Sequence, residues 1–248
     1  MRSFTEIWRE TARLNGFEQY ADDERFTRLR DLLFEANARM NLTAIRDDAG
    51  CAVLHFADSL TAAYDIPQGA NVIDVGCGGG FPCLPLAIAR PDIRITALDS
   101  TAKKLGFVEY AARELGLDNL TTLCGRAEEL GRDPTYRERF DCATARAVAS
   151  LDALCEICLP FVRVGGDFVA MKSRDTYQTE LESAAPIVRK LGGSLASRRE
   201  LTLRFPYPDD RGDPERVLLT FAKRSATPAS LPRKWAQIKK TQVVSCKS

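Results

Sequence analysis

The feature that most constrains this chain is a short apolar run that leads into a cluster of glycines, within residues 72–82. The run, Val-Ile-Asp-Val, predicts a buried β-strand, and glycines such as Gly76 and Gly78 predict a turn whose backbone can adopt positive φ and approach a ligand closely. Pro82 suits the first turn of a helix, because that position needs no amide hydrogen. The segment therefore predicts an α/β fold with a ligand at the turn between a strand and a helix.

The spacing of the glycines and the acid before them indicate the class of ligand. A dinucleotide fingerprint has the pattern Gly-x-Gly-x-x-Gly, and when it starts at Gly76 its last position is occupied by Phe81. Asp74 lies two residues before Gly76, where a carboxylate would repel a pyrophosphate and would suit a cofactor that carries a cationic amino group. These features favour S-adenosylmethionine over a nicotinamide. The alternative is a glycine-rich turn of purely structural function, with Asp74 capping a loop.

The order of the elements indicates the fold class. After the glycine turn, β-forming runs alternate with helical patterns and two further strands close the series, which is typical of an α/β, doubly wound (Rossmann-like) sheet. In such sheets ligands bind at the carboxyl ends of the strands. The predicted strands cover residues 72–75, 93–98, 120–124, 140–145 and 166–172, followed by an antiparallel pair over 201–205 and 216–222.

Polar residues follow several of these strands. Asp99 comes 23 residues after Gly76, and an acid at this point can accept two hydrogen bonds from ribose hydroxyls in both nicotinamide and S-adenosylmethionine proteins. After the third strand, Ala127 and Glu128 can contact the edge of an adenine, although ordinary turn chemistry is the alternative. The residues expected at the carboxyl ends of strands are Asp74, Asp99, Arg146 and Lys172.

Apolar residues at three- and four-residue spacing predict helices over residues 4–15, 23–40 and 49–64, in an N-terminal extension that packs on the main domain. On the third helix, His55, Asp58 and Ser59 lie at i, i+3 and i+4 and share one face. A nucleophilic triad is disfavoured, because adjacent helical side chains rarely reach the required line-up. Two interpretations stay open: the cluster faces a substrate or cofactor, or it docks the helix through hydrogen bonds.

The net charge of +1, from 35 Lys and Arg and 34 Asp and Glu residues, is unevenly distributed. No acid follows Glu215 but eight basic residues do, so the rest of the chain carries −7. A basic C-terminal tail on an acidic body indicates a phosphate-rich partner, and Trp235 among the bases favours a contact surface. A solvated tail without a partner is the alternative.

Targeting features point to the cytoplasm. The N-terminus carries charges and lacks an apolar signal-peptide core, and no apolar run approaches membrane-spanning length. The eight cysteines are scattered, several of them inside strand-like runs, as expected of reduced core residues. We therefore expect a cytoplasmic protein that has no membrane contact. Separately, we expect a monomer.

Several methylation chemistries lack their usual motifs. The sequence Asp133-Pro134-Thr135-Tyr136 resembles an amine-methylation motif but precedes the fourth strand, and the Pro-Cys dipeptide at residues 82–83 lies at the glycine turn. Neither paired catalytic carboxylates nor a metal-ligand cluster emerges, so no metal is expected. A ring nitrogen such as guanine N7 has a free lone pair and needs no base, so positioning and electrostatics suffice for its methylation.

Four motifs follow one another along the chain: Asn41-Leu42-Thr43, His55-Phe56-Ala57-Asp58-Ser59, Asp74 to Pro82, and Arg146-Ala147-Val148-Ala149-Ser150. In this order they resemble the RsmG (also called GidB) family, the bacterial 16S rRNA guanine-N7 methyltransferases. The resemblance covers roughly residues 25–224, and the chain departs from it in having Gly78-Gly79-Gly80 where the family usually has Gly-x-Pro-Gly, and in a longer, atypical tail.

The resemblance implies a class I S-adenosylmethionine-dependent methyltransferase that acts on N7 of a guanosine in the 16S rRNA of the small ribosomal subunit. The expected domains are a helical extension (1–64), the methyltransferase domain (65–224) and a basic tail (225–248). A small-molecule methyltransferase on the same fold is the alternative. With the residues argued above, the expected cofactor contacts are Asp74, Gly76, Gly78, Phe81, Asp99, Ser100, Thr101, Ala127, Glu128 and Arg146. The residues expected to border the guanine are Arg146, Lys172, His55, Asp58 and Ser59.

Overall fold

A computed structural model describes residues 2–146 and 149–245, with side chains up to residue 240. Its strands are β1 (Asn71–Val75), β2 (Arg94–Asp99), β3 (Leu120–Cys124), β4 (Phe140–Arg146), β5 (Val162–Ser173), β6 (Gly193–Thr202) and β7 (Glu215–Lys223). They form one seven-stranded sheet in the order β3-β2-β1-β4-β5-β7-β6. Strands β1 to β5 pair in parallel, while β7 is antiparallel to both β5 and β6. The predicted doubly wound α/β sheet is confirmed.

The strand order changes direction between β1 and β4, because β2 and β3 extend the sheet on one side of β1 and β4 and β5 extend it on the other. Crossovers diverge at such a switch point and leave a crevice at the carboxyl ends of the strands. The central strands are apolar on both faces, as buried parallel strands require. In β4, for example, Cys142, Ala143 and Ala145 are fully buried.

The predicted strand over residues 201–205 is wrong in its bounds. The strand that pairs with the outer side of β7 is β6, Gly193–Thr202. Leu203 and Phe205 follow this strand and are buried in the core. Strand β6 is at the edge of the sheet, and its middle is polar and exposed. An edge strand with basic side chains is protected against pairing with other chains, but it lacks the apolar pattern by which sequence analysis finds strands.

The helices follow the predicted order. The third predicted helix is continuous but irregular, since residues 51–57 are π-helical and Thr61–Tyr64 forms a 3₁₀ turn. Within the described residues the helices are α1 (Phe4–Leu14), α2 (Glu24–Met40), α3 (48–64), α4 (Cys83–Ala89), α5 (Ala102–Glu114), α6 (Ala127–Leu130), α7 (Leu151–Cys158), α8 (Tyr177–Lys190) and α9 (Trp235–Ser245).

The N-terminal helices share a hydrophobic core with one face of the sheet. Phe26 of α2 is fully buried and lies between Trp8 of α1 and Phe56 of α3, with ring centroids 4.4 and 5.5 Å away. The same cluster continues into Val72 of β1 and the helices beside it. Burial of such aromatic side chains contributes roughly 2–3 kcal/mol each. Phe56 also lies 6.2 Å from Phe81, between ring centroids, so the extension packs against the end of the glycine turn.

Residues 225–240, called the C-terminal segment below, pack against the domain. Arg132 and Arg137 donate hydrogen bonds to five backbone carbonyls of this segment, those of Thr227, Pro228, Ser230, Leu231 and Pro232. The amide of Thr227 in turn donates to Glu138 Oε1 at 2.7 Å. Arginine forks that satisfy several carbonyls at once fix the part of this segment that precedes α9 and has no regular structure.

Some of the basic residues after Glu215 are engaged within the fold. Lys223 is fully buried, where its Nζ donates to the carbonyl of Leu159 at 2.8 Å and pairs with Glu138 at 3.1 Å. Arg233 pairs with the buried carboxylate of Glu156 at 2.6 Å. Arg216 pairs with Asp58 at 3.1 Å. Lys234, Lys239 and Lys240 are exposed, whereas Lys247 lies outside the described residues.

Candidate active site

A cavity of ≈ 470 Å³ opens at the carboxyl ends of β1, β2, β3 and β4, at the switch point of the sheet. Its size lies within the range of roughly 300–1,000 Å³ that is usual for cofactor sites. We call it the first cavity. Ten residues predicted for the site line it, namely His55, Gly76, Gly78, Phe81, Asp99, Ser100, Thr101, Ala127, Glu128 and Arg146.

The floor of the first cavity is the glycine turn. Gly76 and Gly78 have φ values of +75° and +56°, which L side chains rarely adopt. The carboxylate of Asp99 accepts from the amide of Gly78 at 3.0 Å and from the amide of Thr101 at 2.8 Å. Asp99 therefore joins the glycine turn to the start of α5, and it is only half-buried, so its carboxylate borders the cavity.

Asp74 does not line the cavity, contrary to the expectation of a direct contact with a cationic amino group. Its carboxylate is 1% exposed and accepts from Thr144 Oγ1 at 2.9 Å and from the amide of Cys83 at 3.1 Å. Burial raises the pKa of Asp74 to about 6, against the effect of these two hydrogen bonds. Asp74 thus links β1 to β4 and to the start of α4, below the turn. Each of its two carboxylate oxygens accepts one of these hydrogen bonds.

A second group of predicted residues meets at one end of the first cavity. The imidazole of His55 stacks on Phe81, with ring centroids 4.2 Å apart and planes 12° from parallel. Its Nδ1 lies 3.3 Å from Nη2 of Arg146, and its Nε2 lies 2.8 Å from Oγ1 of Thr43. A guanidinium can only donate, so Nδ1 accepts, Nε2 carries the hydrogen and Thr43 accepts from it. These contacts assign His55 as a neutral imidazole.

The pKa of His55 agrees with this tautomer, because burial and, second, the charge of Arg146 lower it to about 3. Since its unfolded-state pKa is near 6.5, the unfolded chain binds a proton that the folded chain does not between pH 6.5 and 3. Stability should therefore fall by up to about 1.4 kcal/mol per pH unit as the pH drops through this window.

This effect is measured as the difference in unfolding free energy between the wild type and His55→Asn, by urea titration at several pH values. Asp74 titrates in the opposite sense, but it is present in both proteins and cancels in the difference. A difference that stays constant from pH 7 to pH 4 would contradict a neutral, buried His55.

Arg146 connects the first cavity to a second one. Its Nη1 donates to the carbonyl of Leu54 at 2.7 Å and to Asp58 at 3.1 Å, and its side chain is 13% exposed. The second cavity, of ≈ 480 Å³, is also lined by Arg146. Its other lining residues are Ile45, Leu54, Asp58, Met171, Lys172, Ser173, Thr176 and Arg216.

The cations that line the second cavity are paired with carboxylates. Asp58 is 5% exposed and accepts from both Arg146 and Arg216, at 3.1 Å each. Lys172 pairs with Glu180 at 2.7 Å and donates to the carbonyl of Ala149 at 3.2 Å. Each buried charge therefore has a partner, as the cost of burying an unpaired charge requires.

Ser59, predicted beside His55 and Asp58, does not line either cavity. Its hydroxyl is fully buried and donates to the carbonyl of His55, one turn back in the same helix, at 2.6 Å. Serines inside helices commonly make this bond to the preceding turn. Of the three predicted residues on this helix, His55 borders the first cavity and Asp58 the second.

Sequence reasoning missed several lining residues. One of them is Leu42, which lies in the Asn41–Thr43 motif. The side chain of Asn37 fixes this motif, because it accepts from the amide of Thr43 and donates to the carbonyl of Thr43. Ile157 and Trp235 also line the first cavity, from α7 and from the C-terminal segment. The signal for Trp235 was its position among basic residues, which favoured a surface contact. Ala147 and Val148 of the last predicted motif lie outside the described residues.

The first cavity suits a nucleoside with a charged tail. It combines backbone amides at the glycine turn, a hydrogen-bonding carboxylate at Asp99 and apolar walls at Leu98 and Ile157. No three His, Cys, Asp or Glu side chains of the described ranges gather into a group that could hold a metal ion. Among the helices of the same ranges, none combines the length and apolar character that crossing a bilayer requires.

Solved structures resemble this fold. The [4+2]-cyclase SpnF superposes with a TM-score of 0.52 at 20% identity, covering 68% of this chain and 82% of the other. TYW2 of M. jannaschii, solved in complex with AdoMet, gives a TM-score of 0.52 at 15% identity, covering 67% and 74%. At this identity the likeness concerns the fold alone, a Rossmann-like α/β sheet with flanking helices.

Sequence comparison is more specific. The family model of GidB, described as rRNA small subunit methyltransferase G, matches residues 22–196. A ribosomal RNA small subunit methyltransferase G of Exiguobacterium sibiricum is 44% identical over 213 residues, covering 85% of this chain and 87% of the relative. One from Deinococcus radiodurans is 40% identical over 231 residues, covering 92% and 88%. On these grounds the chain belongs to the GidB family of rRNA small subunit methyltransferase G proteins.

Proposed function

We propose that this protein is an S-adenosylmethionine-dependent methyltransferase that methylates N7 of a guanosine in 16S rRNA. The observation that carries the proposal is the pair of cavities that meet at Arg146, one beside the glycine turn and the other bordered by cations. The first would hold the cofactor and the second the target base. Family membership supports an rRNA substrate, and the choice of N7 rests on the chemistry of the second cavity and on the resemblance in sequence.

The residues of the first cavity suit the three parts of the cofactor. We assign the methionine end to the glycine turn and Phe81, the ribose to Asp99 with Ser100 and Thr101, and the adenine to Ala127 and Glu128. When bound, S-adenosylmethionine supplies an electrophilic methyl group on a positively charged sulfur. Asp74 acts indirectly in this assignment, since it holds the turn rather than the ligand.

The second cavity suits a guanine because it needs to position the base rather than deprotonate it. Guanine presents O6 as an acceptor beside N7, and Arg146, Lys172 and Arg216 supply donors for O6 and for the flanking phosphates. The carboxylates of Asp58 and Glu180 pair with these cations and offset their charge. Positive charge that develops on the base is then met by a nearly balanced environment.

Mass spectrometry of 16S rRNA nucleosides from cells with and without this protein tests the proposal. One 7-methylguanosine should be present in 16S rRNA of the cells that contain the protein and missing from the others, and expression of the chain should restore it. Identical rRNA in both strains would contradict the proposal and leave a small-molecule methyltransferase as the alternative.

The exposed lysines of the C-terminal segment give a prediction about rRNA binding. In the double variant Lys234→Ala with Lys240→Ala, the slope of log K for rRNA binding against log salt concentration should become shallower. The expected change is roughly 0.7–0.9 for each phosphate that the protein no longer neutralises. The matched control is Arg189→Ala with Lys190→Ala, at the end of α8, because helices after parallel strands end at the opposite edge of the sheet. Equal slopes for the two variants in filter-binding assays would show that the segment does not contact rRNA.

A further inference from the structure

The C-terminal segment reaches the first cavity, although neither the matched family model, which ends at residue 196, nor the predicted cofactor contacts include it. Trp235, the first residue of α9, lines the cavity together with Ala127 and Ile157. Its side chain is half-buried and packs against the hydrophobic cluster on the second face of the sheet. A residue that sequence reasoning placed on an external surface is therefore part of the cavity wall.

The position of Trp235 is fixed on both sides along the chain. Two residues before it, the Arg233 guanidinium and amide both bond to Glu156, which is 1% exposed and precedes Ile157 in α7. Three residues after it, Ile238 is 1% exposed in the same hydrophobic cluster. A side chain held between two buried anchors is preorganised, so little conformational entropy is lost when a ligand contacts it.

The segment also defines which end of the cavity Trp235 occupies. Pro232 packs beside Gly131, at the end of α6, where an added Cβ would lie 3.5 Å from the Pro232 ring. Helix α6 begins at Ala127, immediately after β3, whereas His55, Phe81 and Arg146 form the other end of the cavity, near β4. Trp235 therefore stands at the β3 end, beside the residues assigned to the adenine.

We propose that Trp235 is a cofactor-binding residue, an aromatic wall for the adenine that the C-terminal segment contributes to the first cavity. This inference rests on the proposed function, because it requires an adenosyl ligand in that cavity. Adenine has two large apolar faces, and contact with an aromatic side chain stabilises a bound base.

The experiment uses the full chain and S-adenosylhomocysteine, which binds without reacting. Trp235→Ala should raise the dissociation constant in calorimetry about tenfold, which corresponds to about 1.4 kcal/mol. 5′-Methylthioadenosine should lose affinity by a similar factor, because it retains the adenine and lacks the amino acid. The matched control is Arg189→Ala, which changes an exposed residue at the end of α8, and this variant should bind both ligands like the wild type.

Fluorescence gives a second readout that is independent of activity. The chain has two tryptophans, and Trp8 is buried between the N-terminal helices. Saturation with S-adenosylhomocysteine should change the emission of the wild type and leave that of Trp235→Phe, which keeps only Trp8, unchanged. This variant decides the matter if Trp235→Ala does not fold.

The outcomes separate the two proposals. If the wild type binds S-adenosylhomocysteine and Trp235→Ala binds it within twofold of the same affinity, Trp235 is not a cofactor-binding residue and only this inference is overturned. A ligand-induced emission change of equal size in Trp235→Phe would overturn it too. If the wild type binds neither adenosyl ligand, the proposed function fails first, and the inference with it.

Discussion

Arg146→Ala should lower kcat for rRNA methylation by roughly 100-fold or more, because it removes a guanidinium that borders both cavities. The change also leaves Nδ1 of His55 without its donor and deprives the buried carboxylate of Asp58 of one of its two cations. Unfolding free energy should therefore fall as well, by roughly 1–3 kcal/mol. Single-turnover kinetics with S-adenosylmethionine and 16S rRNA, at a temperature where the variant is folded, measure the first effect.

Two controls separate the position of Arg146 from its charge. Arg146→Lys keeps the charge but loses the fork that contacts Leu54, Asp58 and His55 together, so its kcat should lie between wild type and alanine. Arg216→Ala also removes a cation from Asp58, but Arg216 does not line the first cavity. The cofactor affinity of this variant should therefore equal that of the wild type. A kcat for Arg146→Ala within threefold of the wild-type value would show that Arg146 does not contribute to catalysis.

Asp99→Ala should weaken binding of S-adenosylhomocysteine by roughly 10- to 100-fold, since a charged acceptor is worth about 1.5–3 kcal/mol per hydrogen bond. In the folded protein the same carboxylate holds the amides of Gly78 and Thr101, so the variant also loosens the floor of the cavity. Calorimetry of the full chain measures the dissociation constant directly.

The matched control for this change is Asp118→Ala. Asp118 is exposed in the loop before β3, at the amino ends of the parallel strands and away from the cavity, so its removal should leave the dissociation constant unchanged. Equal affinities for wild type and Asp99→Ala would remove Asp99 from the cofactor site. Equal weakening by both variants would mean that net charge, rather than the site, sets the affinity.

Much of the fold followed from sequence because its central strands are buried on both faces. The run around Asp74 and the acid at Asp99 identified two adjacent strands, and the sheet brings their carboxyl ends together as expected for parallel neighbours. The glycine turn was equally predictable, since positive φ at Gly76 and Gly78 requires residues without a Cβ. Local sequence patterns were therefore enough to predict the strands and the glycine turn, because in these elements the local sequence determines the backbone conformation.

The remaining features depend on which partner each side chain finds in the folded chain. Whether the carboxylate of Asp74 faces a ligand or Thr144 is decided by packing between β1 and β4, and whether Ser59 faces a cavity is decided by a bond within its own helix. The location of Trp235 depends on the pairing of Arg233 with Glu156, residues 77 positions apart. Such pairings leave no periodic pattern in the sequence.

Transfer of a deuterated methyl group in a purified system tests the central claim most directly. The full chain, S-adenosylmethionine with a trideuterated methyl group, and small ribosomal subunits or 16S rRNA from cells that lack the protein are incubated, and the rRNA nucleosides are separated by mass spectrometry. The account predicts one trideuterated 7-methylguanosine per 16S rRNA with the wild type and a much slower yield with Arg146→Ala. Label on another nucleoside, or none in rRNA under conditions where the cofactor binds, would contradict it.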